Sequence, residues 1–278
     1  MRKRLVRILA MLAVGYVCLL LILRIFESNL VFFPNLPDRL GGDWHPAGLQ
    51  IQDVWITGFD GTKLHAWWIP NAKAQFTFLA FHGNAGNIAN RSYVYKFLHD
   101  VPASVLALEY RGYGKSGGKP NEQDFYRDAN SAYQFLVQKQ GIRPETIVSF
   151  GQSLGTATAT NLASEVRVGG LVLEAPFTSI AAMAHSQFPY LPGISLLVYG
   201  QMDTKRKIAN VKAPVLVVQC SQDLVVPTEL GQEVYEAASP PKQLLKFDMS
   251  CHEESSLLAP VKYGTALKEF LYKASYTK

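Results

Sequence analysis

The sequence lacks the patterns by which metal-binding and nucleic-acid-binding proteins are usually recognised. Its three cysteines and six histidines show no spacing of the zinc-binding type. No basic stripe with interleaved aromatic residues is present, nor an RNA-binding signature. Internal repeats and low-complexity tracts are missing too. We therefore expect no metal, no cofactor and no nucleic-acid partner.

Most of the chain carries almost no net charge. The formal net charge is +5, but Arg2, Lys3, Arg4 and Arg7 precede a hydrophobic segment, and the remainder is near neutral. Apolar residues make up 48% of the 278 residues, enough for a sizeable core and too many for a disordered chain. Without the N-terminal segment roughly 245 residues remain, which one large α/β domain accommodates.

A long uncharged run lies near the N-terminus, from Ile8 to Leu23. Apolar residues beyond Arg7 and Arg24 extend it, and both arginines can reach lipid headgroups, so it predicts a single membrane span. It lacks the polar face of a core helix. A cleaved signal peptide stays the alternative, although no small-residue cleavage site follows. The basic N-terminal end predicts a cytoplasmic N-terminus, with the domain on the periplasmic or lumenal side.

Three segments follow from this pattern: a membrane anchor over 1–27, a linker over 28–48 and a folded domain over 49–278.

In the domain, apolar runs alternate with helical stretches, which indicates an α/β fold with an eight-stranded, mostly parallel sheet and helices on both faces. The predicted strands are 49–56 and 64–70, an antiparallel edge pair, and 76–81, 104–110, 146–150, 170–173, 214–219 and 243–247. The predicted helices are 88–100, 122–140, 154–165, 228–238 and 259–273.

The longest insertion between strands covers residues 177–210, after the sixth strand. It contains FPYLPGISLLVY, which is apolar but too broken by proline to be a core element. We predict a short mobile cover over the functional site.

A candidate nucleophile is Ser153, in the G-x-S-x-G segment 151–155. It follows the strand-like ETIVSF and precedes a helix of small residues, so a sharp strand-to-helix turn would expose its hydroxyl. A second match, 114–118, places Ser116 before Gly-Gly-Lys-Pro, which cannot begin a helix at once. This second match predicts a loop. It is not a phosphate loop either, because Glu109 stands where that motif needs glycine.

A serine nucleophile needs a base to take its proton and an acid to orient that base. His252 follows the last strand-like run, and Asp223 follows the one before it, in the chain order serine, acid, histidine. Glu174 ends the preceding strand and is the alternative acid. For the oxyanion hole we predict the backbone N–H groups of Leu154 and of Asn84, in FHGNAGN.

These motifs together resemble the α/β-hydrolase superfamily. FHGNAGN, EYRGYGKSGG, GQSLG, LEAPFTS, SQDLVVP and the late His252 are similar to a branch of membrane-anchored proteins that includes depalmitoylases and esterase-like bacterial proteins. The resemblance covers roughly residues 48–273 and implies an α/β-hydrolase fold and hydrolysis through an acyl-enzyme. It does not imply a substrate.

One departure from the family pattern is that Cys220 and Cys251 stand where such proteins usually have glycine. Because Asp223 and His252 must meet, the loops carrying both cysteines should approach each other. In an oxidising compartment the two could form a disulfide. The alternative is two small buried cysteines.

The sequence therefore predicts a serine hydrolase of carboxylic esters or thioesters with acyl or lipid-like substrates. A serine peptidase or amidase on the same triad is the first alternative. A catalytically silent, membrane-tethered binding protein is the second.

Overall fold

The computed structural model describes residues 2–196 and 201–276. It begins with a long helix, α1 (Arg2–Ile25), none of whose residues is buried. Within the described residues, α1 is the one helix long and apolar enough to cross a membrane. A short helix, α2 (Glu27–Val31), follows, and the next residue, Phe32, packs into the domain against Phe125 at 5.2 Å between ring centroids. The predicted N-terminal apolar helix is thus present, and its end lies against the folded domain.

A single sheet of eight strands, counted among the described residues, forms the centre of the fold. The strands are β1 (Gln52–Thr57), β2 (Lys63–Ile69), β3 (Phe76–Phe81), β4 (Ala103–Leu108), β5 (Ile147–Gln152), β6 (Gly170–Glu174), β7 (Val215–Cys220) and β8 (Lys242–Phe247). Their order is β1-β2-β4-β3-β5-β6-β7-β8. β2 pairs antiparallel with both β1 and β4, and the other neighbours are parallel. The predicted eight-stranded, mostly parallel sheet is confirmed.

Helices cover both faces of the sheet. The remaining ones are α3 (Ser92–Asp100), α4 (Glu122–Gln134), α5 (Leu154–Glu165), α6 (Ile180–Gln187), α7 (Thr204–Ile208), α8 (Thr228–Ala237), α9 (Ser255–Leu258) and α10 (Pro260–Tyr276). Successive strand residues point to opposite faces, so Leu79 belongs to the core cluster that includes residues of α4, α5 and α8, whereas Ala80 belongs to the cluster that includes residues of α3 and α10. The continuous apolar runs reflect this burial on two sides.

Three predicted helices differ from single continuous α-helices in the structure. The stretch 88–100 begins as a 3₁₀ turn, Ile88–Arg91, because Asn87 and Asn90 form a reciprocal capping box. The stretch 122–140 ends in a π-helical turn, Phe135–Lys139. The last predicted helix consists of α9 and α10, since Pro260 begins the second of them.

The insertion 177–210 contains α6, a 3₁₀ turn over Ile194–Leu196, and α7. Ser179 caps α6 by accepting from the Ala182 N–H at 3.1 Å. The end of the predicted cover, residues 197–200, lies outside the described residues.

Candidate active site

Ser153 occupies the sharp turn between β5 and α5. Its φ is 48° and its ψ is −115°, in the left-handed half of backbone space that non-glycine residues rarely adopt. The flanking glycines make this turn possible. A Cβ on Gly151 would lie 2.4 Å from the Gly155 carbonyl oxygen, and a Cβ on Gly155 would lie 2.1 Å from the Phe81 carbonyl oxygen. The packing therefore requires glycine at both positions and holds Ser153 at the carboxyl end of the sheet.

Ser116, in the second G-x-S-x-G match, is buried. Its Oγ donates to the Glu109 carbonyl at 2.9 Å and accepts from the His65 N–H at 2.8 Å. The hydroxyl therefore uses both its donor and its acceptor on backbone groups of the protein. This serine therefore joins a loop to the sheet.

His252 and Asp223 meet at the carboxyl end of β7 and β8. The distance from His252 Nδ1 to Asp223 Oδ2 is 2.7 Å. The other oxygen, Asp223 Oδ1, accepts from the N–H groups of Val225 at 2.8 Å and Val226 at 3.0 Å. These amides fix the carboxylate, and the carboxylate fixes the imidazole. His252 Nε2 lies 3.9 Å from Glu253 Oε1, and among the described residues no hydrogen bond joins it to Ser153.

The pKa of His252 is raised above its ordinary value by this environment. Burial acts to lower the pKa, but the hydrogen bond to Asp223 and the negative charges of Glu253 and Asp223 outweigh it. The His252 side chain is 18% exposed and that of Asp223 is 4% exposed, so the pair is screened from water but reachable from one side.

Glu174, the alternative acid, is fully buried at the end of β6. Its carboxylate accepts from Gln152 Nε2 at 2.9 Å and from the Ser255 N–H at 3.2 Å. Burial raises the pKa of Glu174 to about 8 despite these donors. Among the described residues, His252 bonds to Asp223 and not to Glu174.

The loop after β3 carries the predicted second oxyanion donor. His82 Nε2 lies 3.0 Å from Glu109 Oε1, and Glu109 Oε2 accepts from the Ile88 N–H at 3.2 Å, so a buried pair braces this loop. Within the described part of the chain, the backbone N–H groups of Asn84 and Leu154 have no acceptor. Both remain available to a ligand oxygen.

Two residues of this region were not predicted from the sequence. Glu253 Oε2 accepts from Arg91 Nη2 at 3.0 Å, and both side chains are nearly buried. A Cβ on Gly83 would lie 1.7 Å from Glu253 Oε1, so the loop packs directly on this carboxylate. The ion pair ties the oxyanion loop to the segment after His252. The adjacency of Glu253 to His252 was the only sequence signal for it.

Known proteins resemble this chain over nearly its whole length. It is 33% identical to WAV2, an α/β-hydrolase domain-containing protein of Arabidopsis thaliana, over 273 residues that cover 89% of this chain and 88% of that protein. The chain belongs to the α/β-hydrolase family. This hydrolase is also 34% identical to protein Rv2307c of Mycobacterium tuberculosis over 248 residues, 88% of this chain and 87% of that one.

The family model described as serine aminopeptidase, S33, matches residues 72–195 of the hydrolase. Among solved structures, the Pyrococcus furiosus esterase Pf2001 matches with a TM-score of 0.69 at 26% identity, covering 87% of this chain and 97% of that one. The predicted α/β-hydrolase fold is confirmed.

An apolar cavity of about 510 Å³ lies above Ser153 in the hydrolase. Ser153, Leu154 and Asn84 line it, and so do Val225 and Val226 beside Asp223. The insertion forms one wall, with Phe177, Ile180, Met183, Phe188, Leu191 and Ile194. A second wall consists of Leu23 and Arg24 at the end of α1, Glu27, Leu30 and Val31 of α2, and Phe33 of the linker. Two larger clefts, of about 810 and 730 Å³, contain none of Ser153, Asp223 and His252. The cavity beside Ser153 therefore has a mainly apolar wall.

The structure joins Cys220 and Cys251 of the hydrolase in a disulfide with a Cα–Cα distance of 5.6 Å. Cys220 ends β7, and Cys251 immediately precedes His252. The bridge thus connects the two loops that carry Asp223 and His252. Among the described residues, no group of three His, Cys, Asp or Glu side chains is arranged to hold a metal ion.

Proposed function

We propose that this protein hydrolyses carboxylic esters or thioesters through an acyl-enzyme on Ser153. The observation that carries the proposal is a serine in a left-handed strand-to-helix turn at the wall of an apolar cavity. Val225 and Val226, whose N–H groups hold the Asp223 carboxylate that pairs with His252, line the same cavity. A structural serine would show neither the unusual backbone conformation nor the adjacent charge pair.

In the proposed reaction, His252 Nε2 accepts the proton of Ser153 as Oγ attacks the carbonyl carbon. The carbonyl oxygen becomes an oxyanion and accepts from the N–H groups of Asn84 and Leu154. His252 then gives its proton to the leaving alkoxide or thiolate, and the acyl group stays on Ser153. Water, deprotonated by His252, attacks the acyl-enzyme. His252 then returns this proton to Ser153 Oγ as the bond to the acyl group breaks, which releases the acid and the free serine. Asp223 holds the imidazole in place and stabilises its charged form throughout.

The walls of the cavity favour an apolar acyl group as the substrate's acid part. The side chains around Ser153 are largely aliphatic or aromatic, and such surfaces bind hydrocarbon and not charged peptide. The solved neighbour Pf2001 is an esterase, which supports a small-molecule ester substrate. A thioester of the kind that depalmitoylases cleave fits the same cavity and the same triad.

We further propose that α1 anchors the enzyme in a membrane with its N-terminus in the cytoplasm. Arg2, Lys3, Arg4 and Arg7 precede the apolar run, which supports this orientation. An anchored enzyme stays with membranes through a high-salt wash and leaves them in detergent. A shortened N-terminus in the soluble fraction would instead identify α1 as a cleaved signal sequence.

The test of the catalytic proposal is active-site labelling with a fluorophosphonate, followed by a substrate panel. The detergent-solubilised full chain should react, and Ser153→Ala should not. Nitrophenyl esters and thioesters of increasing acyl length should be hydrolysed, with a preference for chains longer than acetyl. Absence of labelling in the folded wild type would contradict the proposal and favour a silent binding protein.

A second candidate activity is cleavage of peptide or aminoacyl bonds on the same residues. The match of residues 72–195 to the serine aminopeptidase model favours it. Aminoacyl anilides in the same panel distinguish the two, because a peptidase would cleave them faster than the apolar acyl esters.

A further inference from the structure

The membrane helix touches the insertion at a point well inside the helix. The hydroxyl of Tyr16 donates to the carbonyl oxygen of Pro192, across 176 positions of sequence. Pro192 belongs to residues 188–194, which we call the insertion tip. The tip therefore runs alongside α1 and not only beside its end.

The position of Tyr16 along α1 sets the depth of this contact. Tyr16 precedes Arg24 by eight residues, which corresponds to about 12 Å along a helix axis. If Arg24 reaches the headgroups, Tyr16 lies within the hydrocarbon, whose full thickness is about 30 Å. The Cα–Cβ bond of a helical residue tilts toward the helix N-terminus, so the Tyr16 side chain starts toward the bilayer centre and away from Arg24.

The side chains of the tip are suited to hydrocarbon. Residues 186–196 contain no charged side chain. Phe188 is 45% exposed and Tyr190 is 71% exposed, and their rings pack edge to face with centroids 6.3 Å apart. An exposed aromatic pair on an uncharged loop is costly in water and favourable in a bilayer.

Backbone hydrogen bonding is the stricter requirement inside a membrane, and three of the five backbone N–H groups of the tip meet it. Those of Tyr190 and Gly193 have no acceptor among the described residues. The N–H groups of Phe188, Leu191 and Ile194 donate to the carbonyls of Ala184, Phe188 and Leu191 at 2.9, 3.0 and 3.2 Å. Pro189 and Pro192 carry no N–H. The carbonyl of Pro192 accepts from Tyr16, so the anchor itself satisfies a polar group of the tip.

The cavity above Ser153 is continuous with this surface. Phe188, Leu191 and Ile194 of the tip line it on one side, and Leu23 of α1 lines it on the other. A hydrocarbon chain entering between the tip and the end of α1 would meet Leu23 and the apolar side chains of the tip, and would pass the Arg24–Glu27 ion pair on the same wall.

We infer that the insertion tip penetrates the leaflet in which α1 ends and that the cavity receives an acyl chain of a lipid in that leaflet. The penetration rests on α1 lying in a membrane, and the reaction of the bound chain rests on the proposed hydrolase activity. The insertion is thereby a second membrane contact that aligns the active site with the bilayer.

Depth-dependent fluorescence tests the penetration without reference to catalysis. Tyr190→Cys is labelled with the environment-sensitive dye NBD in a Cys18→Ser background and reconstituted in phosphatidylcholine vesicles. Val261→Cys, 82% exposed on α10, is the matched control. We expect blue-shifted emission and quenching by doxyl-labelled lipids at position 190, and neither at position 261. Equal emission and quenching at the two positions would overturn the penetration.

The acyl-chain part is tested by a substrate comparison. Tyr190→Asp should lower hydrolysis of a long-chain lipid ester presented in vesicles by at least about tenfold, because a charge is unfavourable in hydrocarbon. Hydrolysis of a short soluble ester should stay within about twofold, as expected for a surface substitution. Val261→Asp should leave both rates unchanged. An equal loss on both esters would overturn the entry route. Lack of any hydrolysis by the wild type, with deep labelling at position 190, would refute the hydrolase and retain the membrane surface.

Discussion

The two G-x-S-x-G segments of this chain have the same pattern and opposite environments. Ser153 lies at φ 48° between a strand and a helix, at the wall of a cavity. Ser116 lies in a loop with its hydroxyl bonded on both sides to backbone groups. The pattern alone specifies two glycines around a serine. What separates a candidate nucleophile from a structural serine is the element on each side.

The two candidate acids differ in a similar way. Glu174 ends β6, and Asp223 follows the neighbouring strand β7. Asp223 receives two backbone N–H groups and the imidazole of His252. Glu174 is sealed in the interior, and burial raises its pKa to about 8. A carboxylate that must stabilise a positive imidazole has to be ionised, and burial of Glu174 opposes this.

The comparison of the serines is tested most directly by replacing each with alanine. Ser153→Ala should lower ester hydrolysis by about 10⁴-fold or more, because no nucleophile remains. Ser116→Ala should keep activity but lose about 1–3 kcal/mol of stability, since the buried His65 N–H loses its acceptor. Hydrolysis rates and thermal melts of both variants measure this. The assignment is wrong if Ser116→Ala is the inactive variant.

Replacing the orienting acid should lower the rate of hydrolysis less than replacing Ser153 does, but still by orders of magnitude. Asp223→Asn should lower kcat by about 10³- to 10⁴-fold, since the imidazole loses both its orientation and its counter-charge. Glu174→Gln should cost less than about tenfold, because its contacts are to Gln152 and Ser255 and not to the base. Steady-state kinetics on one ester at pH 8 compares them. The opposite ranking would make Glu174 the acid.

The sheet was predictable because burial on both faces produces continuous apolar strands. Strand ends were less predictable: β1 begins at Gln52, three residues after the expected start at Leu49, since the pairing with Trp68 sets the boundary and is not visible locally. The strand-to-helix turn at Ser153 was readable from its flanks. The Arg91–Glu253 ion pair was not, because it joins positions 162 residues apart that meet only in the folded sheet.

The cavity was the least predictable feature of the site. The sequence indicated an apolar insertion, but not that Val31 and Phe33 of the linker would reach the oxyanion loop. There Asn84 donates to the Val31 carbonyl at 2.6 Å and accepts from the Phe33 N–H at 3.0 Å. Linker contacts depend on the path of a segment with little regular structure, which carries no periodic signal.

The disulfide between the two loops that carry Asp223 and His252 distinguishes them from the rest of the sheet, and its effect on stability can be tested separately. Reducing the Cys220–Cys251 bridge should lower the free energy of unfolding by about 2–4 kcal/mol, as expected for a loop of this size. A Cys220→Ser/Cys251→Ser variant should melt at a temperature that reductant does not change. Equal thiol counts in the denatured protein before and after reduction would show that the two cysteines are free.

The last comparison concerns the pH dependence that burial of Glu174 produces. Its pKa is about 8 in the fold, above the ordinary value of about 4.5, so the folded state holds a proton that the unfolded chain releases between these pH values. Its contribution to stability is therefore fully present below about pH 4.5 and is lost as pH rises through about 8. His252, whose pKa is also raised, likewise makes the fold less stable as pH rises. Because every variant compared contains His252, its effect cancels in the difference between variants.

The difference in melting temperature between Glu174→Gln and the wild type isolates this contribution. Since glutamine does not ionise, the variant should gain on the wild type as pH is raised from 5 to 9. Glu269→Gln, at an exposed position on α10, is the control and should show a constant difference. The melts use detergent-solubilised full chain at constant ionic strength. A difference for Glu174→Gln that is as flat as that of the control would mean that this carboxyl is ionised in the fold. That result would mean that burial does not distinguish Glu174 from Asp223 as a candidate acid.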